Sequence, residues 1–250
     1  MHAVILAAGV GDRLGGESGG QPKCLLEMKG RTLLARHVDA LRSLGISAIS
    51  VVTGFQRAQV ESELSSMNGA AGIHTVFNPD YRHGSIVSLW SARAILDAGQ
   101  PVLLMDADVL YHPDILRALV ASRHANCLLI DREFEPGEEP VKVCISAGRI
   151  IEFRKQVAPE ISFDLQGESV GFFRFDSAMA ATLGRRAHEY ISEGRSQEPY
   201  EEAIRDLLLE RPGEFGYEDV TGLPWIEIDF PADLARARGE VMERLAGIVN

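Results

Sequence analysis

Across the first 130 residues, short continuous apolar runs alternate with stretches whose apolar residues recur at helical spacing, and this alternation restricts the fold more than any other feature. Ala3 to Ala7 is an apolar run near the N-terminus. Thr32 stands where it can cap a helix carrying Leu33, Leu34, Val38 and Leu41 on one side, and Gly45 ends that helix. Ile49 to Thr53, Ile73 to Phe77, Pro101 to Met105 and Cys127 to Ile130 read as further strands. Between them come helices through Val60 and Leu64, from Ser85 onward with Ile86, Leu89, Ala92 and Leu96 on one side, and from Pro113 to Ser122. Strands that are apolar throughout belong to sheets covered on both faces, and right-handed crossovers make a doubly wound layering the economical arrangement.

Beyond residue 131 the rhythm changes. Arg132 to Pro140 is a charged, proline-bearing stretch and reads as an exposed loop. Val141 to Ile145 and Arg149 to Phe153, separated by Ser-Ala-Gly, read as a hairpin, and Ser169 to Phe175 as another strand. Helices are expected over Ser177 to Glu193 and Pro199 to Glu210, then a strand over Trp225 to Phe230 and a final helix over Ala232 to Ile248. The late strands either extend the first sheet or form a lobe beside it. The fold class expected is α/β: a Rossmann-like, mostly parallel sheet with helices on both faces and a small C-terminal substrate-binding lobe. The ligand cleft then lies at the carboxyl ends of the parallel strands.

The charge balance bounds the partners. With 36 acidic and 25 basic side chains the chain carries a formal charge of −11, which repels a nucleic-acid backbone. A phosphate-bearing ligand is admitted only where a basic pocket or a metal reverses that field. The three cysteines, Cys24, Cys127 and Cys144, are too few and too scattered for a disulfide framework and are expected as buried thiols. The apolar stretches are too short to cross a bilayer and no leader is evident, so a cytoplasmic protein without membrane insertion is expected.

The strongest local signal is Leu6-Ala7-Ala8-Gly9-Val10-Gly11-Asp12-Arg13-Leu14, followed by Gln21-Pro22-Lys23-Cys24-Leu25. Gly9 and Gly11 allow backbone N–H groups to approach a phosphate closely. Arg13 can fork onto phosphate oxygens, and Lys23 adds a compact positive charge. The pattern is neither a P-loop, which needs Gly-Lys-Ser/Thr ahead of a helix, nor a complete dinucleotide fingerprint.

These motifs resemble the nucleoside-triphosphate transferases of the sugar-nucleotide pyrophosphorylase type. Such enzymes open with Leu-Ala-Ala-Gly-x-Gly-x-Arg-Leu and, after a variable gap, Pro-Lys-x-Leu. Here the matching residues are Leu6 to Gly9, Gly11, Arg13, Leu14, Pro22, Lys23 and Leu25, and Asp12 stands where many members carry Ser or Thr. The likeness continues through Val51-Val52-Thr53-Gly54, Asn78, Asp106-Ala107-Asp108 and Glu227-Ile228-Asp229. Asn78-Pro79-Asp80-Tyr81, Ser88-Leu89-Trp90 and Trp225 to Asp229 are most similar to compact cytidylyltransferases that activate phosphocholine or aminoethylphosphonate.

The resemblance implies one nucleotidyltransferase domain over residues 1–250, with 1–131 mainly binding nucleotide and 132–250 mainly binding substrate. It implies transfer of CMP from CTP to a small phosphorylated or phosphonylated amino alcohol, with release of pyrophosphate. The alternatives are an inositol phosphate or hexose 1-phosphate acceptor, or a nucleotide-sensing domain without activity. Arg13, Lys23 and Lys142 are the expected catalytic residues, with Lys155 as the competitor of Lys142. Leu6, Ala7, Ala8, Gly9, Gly11, Gly84, Ser85 and Asp106 are expected around the nucleotide, although Ser85 can equally cap its own helix. Glu168, Tyr200, Glu201 and Trp225 are expected at the acceptor, where an aromatic face beside a carboxylate suits a cationic amine. Asp108, at a strand's carboxyl end, and Asp229, on the same strand face as Glu227, are expected to hold Mg²⁺, with Asp106 as a competing ligand. Lys23 is expected to be accessible, so its loss should leave stability intact. A homodimer is the expected assembly.

Overall fold

The computed structural model describes residues 1–67, 72–134 and 139–247, with backbone alone at 17 and 18. In chain order its strands are β1 (His2–Ala7), β2 (Glu27–Met28), β3 (Arg31–Thr32), β4 (Ile49–Thr53), β5 (Ile73–Phe77), β6 (Val102–Asp106), β7 (Val109–Tyr111) and β8 (Asn126–Asp131). They continue as β9 (Lys142–Ser146), β10 (Arg149–Arg154), β11 (Leu165–Phe175), β12 (Phe215–Asp219) and β13 (Trp225–Glu227). The helices are α1 (Leu33–Ser43), α2 (Arg57–Ser66), α3 (Ser85–Ser91), α4 (Arg93–Leu96), α5 (Pro113–Ala121), α6 (Ser177–Ser192), α7 (Tyr200–Glu210), α8 (Pro231–Arg236) and α9 (Met242–Gly247).

Capping chemistry sets several helix starts. The Thr32 hydroxyl accepts from the Ala35 N–H at 3.0 Å, as its position ahead of the apolar stripe predicts. Asp176 accepts from the Met179 N–H at 2.8 Å at the start of α6. The helix at Ser85 is different: Gly84 is its cap, and the helical run is interrupted at Ala92.

Nine strands form one sheet in the order β10-β9-β11-β6-β1-β4-β5, with β8 also bonded to β11 and β12 bonded to β8. The β1–β4, β1–β6 and β4–β5 pairs are parallel, as the alternating pattern predicts for the first half; β8 is also parallel to β12, a strand the pattern does not announce. The second half departs from that pattern. β11 enters beside β6 and runs antiparallel to β6, β8 and β9. An apolar run carries no sign of strand direction, so the hydrophobic pattern alone did not reveal this insertion. The late strands therefore mostly extend the first sheet. The exception is β13, which pairs with β7 in a separate antiparallel ribbon and stops at Glu227, short of Phe230.

The last helix is also broken. Between α8 and α9 the segment Ala237–Val241 adopts the wider π-helical turn. Ile248, the expected end of that helix, and residues 135–138 of the charged loop lie outside the described residues. Two apolar clusters flank the sheet, one containing Val4, Leu104, Phe173 and Tyr200, the other Ile5, Val51, Met105 and Phe172. The cysteines are free and buried, as expected. Among the described residues no helix is long and apolar enough to cross a membrane.

Candidate active site

The glycine loop leaves the carboxyl end of β1 and turns at Gly11, whose φ of 71° lies in the left-handed region. A Cβ there would sit 2.9 Å from the Lys23 side chain, so the missing side chain also makes room for the lysine stem. Lys23 is anchored by its buried neighbours Cys24 and Leu25 in a short 3₁₀ turn. Leu6, Ala7, Gly9, Gly11, Lys23 and Asp108 line a cavity of about 100 Å³. Five residues expected at the nucleotide or its metal are thereby assembled around Lys23.

Three carboxylates meet beside it. Oxygens of Asp108, Glu227 and Asp229 lie within 4.8 Å of one another. The β7–β13 ribbon produces this arrangement: Glu227 is paired with Val109, and the Ile228 N–H donates to the Asp108 carbonyl at 3.1 Å. Asp233 secures the end of the ribbon by accepting from the N–H groups of Asp229 and Phe230 at 3.1 and 2.8 Å. The sequence places Glu227 in the Glu227-Ile228-Asp229 motif and on one face with Asp229 but not among the metal ligands; the structure makes it a full member of the cluster. The residue as a whole is exposed, yet its carboxyl is crowded against the cluster, and the water lost there together with the charges of Asp108 and Asp229 raises its pKa.

The ammonium of Lys23 bonds to both Asp108 and Asp229. Burial alone would lower its pKa, but the two carboxylates outweigh that effect and raise it. The cluster thus already holds one cation, and its all-oxygen donor set is that of a hard divalent ion. The residues present fit such an ion.

Asp106 faces elsewhere. Its Oδ2 accepts from the Tyr200 hydroxyl at 2.7 Å, and burial together with Glu201 and Asp108 pushes its pKa up. Gly171, at φ 78°, passes so close that a Cβ would lie 2.5 Å from that same oxygen. Tyr200 is corrected by this geometry. It is 2% exposed, packs edge-on against Phe173, and has no free aromatic face for an acceptor. Its apolar neighbours draw the ring into the core, while the hydroxyl holds Asp106. Phe172 and Phe173 are likewise core residues.

Gly84 and Ser85 are engaged by the chain itself. The Gly84 N–H donates to the Ser196 carbonyl, and the Ser85 hydroxyl accepts from the Tyr200 N–H, both at 2.9 Å. Ser85 therefore fastens α3 to the start of α7 and does not cap its own helix. Lys142 also differs from expectation: its ammonium donates to the carbonyls of Lys155 and Pro140 at 2.7 and 3.4 Å. Lys155, the competitor, lines a cavity of about 520 Å³ together with Arg13, Glu139, Glu201 and Glu202. Glu139 accepts from Arg13 at 2.8 Å and from Lys155 at 2.9 Å, a bridge that nothing in the charged loop sequence announced. Glu201 has a buried carboxyl oxygen without a hydrogen-bond partner among the described residues, and burial pushes its pKa up to about 6.

Glu139 also borders a cavity of about 480 Å³ that contains Glu168 and Trp225, next to Glu227 and Asp229. Asp131 accepts from the Trp225 indole N–H at 2.8 Å, and Glu133, Phe134 and Phe230 complete much of the wall. Carboxylates far outnumber the two arginines, Arg236 and Arg244, so the field inside favours a cation.

Residues 3–162 match the model of the family described as MobA-like NTP transferase domain. The CMP-5'-(3-aminopropyl)phosphonate synthase of Streptomyces rubellomurinus is 28% identical over 95% of this chain, which spans 38% of that protein's length. The CTP:phosphoglutamine cytidylyltransferase of Campylobacter jejuni is 24% identical over 94% of this chain and 98% of its own length. Among solved structures, the inositol-1-phosphate CTP transferase from T. maritima shares the fold, with a TM-score of 0.76 at 20% identity, covering 100% of this chain and 97% of that one.

Proposed function

The chain belongs to the family of MobA-like NTP transferase domains, a family of nucleotidyltransferases, and from that premise we propose that it transfers CMP from CTP to a small phosphorylated or phosphonylated amino alcohol. The observation that carries the acceptor class is the cavity holding Trp225, Asp131 and Glu168 beside the Asp108–Glu227–Asp229 cluster. A cationic amine gains there from both carboxylates and an aromatic surface, whereas a neutral polyol leaves the carboxylates uncompensated. The names of the Streptomyces and Campylobacter relatives, one a phosphonate and the other a phosphoglutamine enzyme, support the same reading.

In this reading an acceptor oxyanion attacks the α-phosphorus of CTP. A new P–O bond forms, the bond to the β-phosphate oxygen breaks, and pyrophosphate leaves with the electron pair. The attacking oxygen is already deprotonated near neutral pH, so no strong general base is required. Lys23 and Arg13 hold the triphosphate and offset the repulsion between the two anions, and Lys155 adds positive charge from across the cleft. The Leu6 to Gly9 backbone lies against the nucleoside. Asp108 and Asp229, with Glu227 beside them, would hold a divalent ion, Mg²⁺ by its preference for carboxylate, phosphate and water oxygens. Bound there, it supplies neutralisation of the charge on the triphosphate. Tyr200 positions Asp106 and does not touch the acceptor. A homodimer is part of the same proposal, with sedimentation as its measurement.

The deciding experiment incubates the purified protein with CTP, UTP and a panel containing 2-aminoethylphosphonate, phosphocholine, inositol 1-phosphate and a hexose 1-phosphate, following pyrophosphate release. Turnover of CTP with an amine-bearing acceptor is expected. Turnover confined to the inositol or hexose phosphate overturns the acceptor class and leaves the family intact.

A further inference from the structure

Lys23 cannot serve a triphosphate, and Asp108 and Asp229 a divalent ion, while the three side chains stand as they do. The ammonium lies 2.5 Å from Asp229 Oδ1 and 3.0 Å from Asp108 Oδ2, and Arg13 faces the second Asp229 oxygen at 3.5 Å. Both oxygens of Asp229 thus already face a cation. An ion bonded to these carboxylates draws on the same oxygens and repels an ammonium that stays among them. Lys23 and the ion exclude each other.

The surroundings show how the lysine leaves. Its backbone is fixed, since Cys24 and Leu25 are buried and the turn is closed by bonds from Leu25 N–H to Pro22 and from Leu26 N–H to Lys23. Its stem runs past Gly11, where a Cβ would lie 2.9 Å from Cγ and 3.4 Å from Cε. The glycine-loop cavity and the carboxylate cluster therefore meet at Lys23 and Asp108. Rotation about the terminal side-chain bonds carries the ammonium from one to the other without backbone movement. A lysine side chain only 14% exposed does not exchange two carboxylates for water. It needs another anion, and a triphosphate on the glycine loop is one.

We propose that Lys23 is an exchangeable counter-ion: it holds the Asp108–Asp229 site against divalent ions until a triphosphate on the glycine loop takes over its ammonium. On the nucleotidyltransferase reading above, on which this exchange rests, nucleotide becomes the condition for metal binding. The two ligands then bind synergistically, and the free protein has little affinity for the ion.

Equilibrium dialysis of the whole protein against Mn²⁺, which counts only protein-held metal, tests the exchange. Without nucleotide, Lys23→Met, which keeps the stem and removes the charge, should bind one Mn²⁺ per chain roughly tenfold or more tightly than wild type. Asp229→Asn in the Lys23→Met background should abolish that gain, which places the ion at the cluster. Arg13→Met removes an equal but half-exposed charge and should tighten binding by less than about threefold. Saturating CTP should raise the Mn²⁺ affinity of wild type, and raise it roughly tenfold less in Lys23→Met. Equal affinity of Lys23→Met and wild type without nucleotide, an equal gain in Arg13→Met, or a gain that survives Asp229→Asn overturns the exchange and leaves the nucleotidyltransferase reading standing. Mn²⁺ binding indifferent to CTP in wild type overturns both. Circular dichroism establishes that each variant is folded. Should Lys23→Met fail to fold, anomalous scattering decides, from wild-type crystals soaked at the Mn²⁺ concentration that half-fills the CTP complex. Manganese between Asp108 and Asp229 at equal occupancy without CTP overturns the proposal, and manganese there only with CTP upholds it.

Discussion

The ammonium of Lys23 donates to the Asp229 carboxylate at 2.5 Å, joining positions 206 residues apart, and to Asp108 at 3.0 Å. The lysine side chain is 14% exposed, so it is a counter-ion built into the acidic cluster as well as a candidate phosphate ligand. The sequence alone suggested an accessible lysine whose loss would leave stability intact. The geometry replaces that expectation.

Lys23→Ala should lower turnover by roughly 10²-fold or more, because a cation facing the reacting phosphates is lost. It should also destabilise the protein by roughly 1–3 kcal/mol in chelator, since partly buried carboxylates lose their partner. Turnover and thermal melts in EDTA and in excess Mg²⁺ check both parts. Wild-type turnover would remove Lys23 from the mechanism.

Asp108→Asn and Asp229→Asn preserve side-chain volume and remove a negative ligand. Each should reduce turnover by about 10²-fold and raise the Mg²⁺ concentration needed for half-maximal rate; Glu227→Gln should cost about 10-fold. Mn²⁺ titration by paramagnetic resonance with CTP present reads the same loss as binding. Retention of metal affinity in both Asp variants would refute the assignment.

Glu139 holds Arg13 in an ion pair whose side chains are 43% and 50% exposed, and such pairs contribute about 0–1 kcal/mol. Triphosphate oxygens can displace a partner held that weakly. Glu139→Gln should therefore lower the KM for CTP, by at most about fivefold. An unchanged or higher KM would show that Glu139 does not compete with nucleotide.

Arg205 grips Glu152 with two hydrogen bonds, of 2.5 and 2.8 Å, and Glu152 is 5% exposed. Burial works against the charged carboxylate, but Arg205 overrides it and holds the pKa below its usual range. Arg205→Met should cost about 3 kcal/mol by stranding that carboxylate, and adding Glu152→Met should recover most of the loss. Denaturant unfolding of the single and double variants measures this. Equal destabilisation in both would assign the loss to packing of α7.

His37 is fully buried beside Tyr111 and Phe172, and burial lowers its pKa from 6.5 to about 4. Folding favours the neutral ring, while the unfolded chain takes up a proton as the pH falls through 6.5. The associated stability is present above pH 6.5 and is lost progressively toward pH 4, a change of about 3 kcal/mol. His37→Leu should remove this component from the pH dependence of unfolding. Parallel profiles for variant and wild type would show that the imidazole is not the titrating group.

The first half was legible because its signals are local. The capping position of Thr32, the apolar runs of β1, β4 and β6, and the turn at Gly11 each act within a few residues. The cavity around Lys23 followed because Leu6 to Lys23 form one nearly contiguous motif. What escaped depends on contacts distant in sequence. The burial of Tyr200 rests on Phe173, its bond to Asp106 spans 94 positions, and the Arg13–Glu139 pair spans 126. Lys142, with an apolar neighbour on each side, reads as the cleft-facing lysine and Lys155 as an exposed strand end; the β9–β10 pairing sets Lys142 opposite Arg154, where its ammonium turns to the Lys155 carbonyl instead.

The place of β11 beside β6 has a consequence for synthesis. One edge of β6 is completed only by Phe172 to Phe175, so during translation it waits for nearly seventy further residues. At ordinary elongation rates that interval is roughly 4–14 s, long compared with hairpin closure. Throughout it the nascent chain presents the unpaired, wholly apolar edge Val102 to Met105, a template for pairing with other chains. Yield on the ribosome is therefore governed by how soon residue 175 emerges, and truncations ending before it should collect in the insoluble fraction.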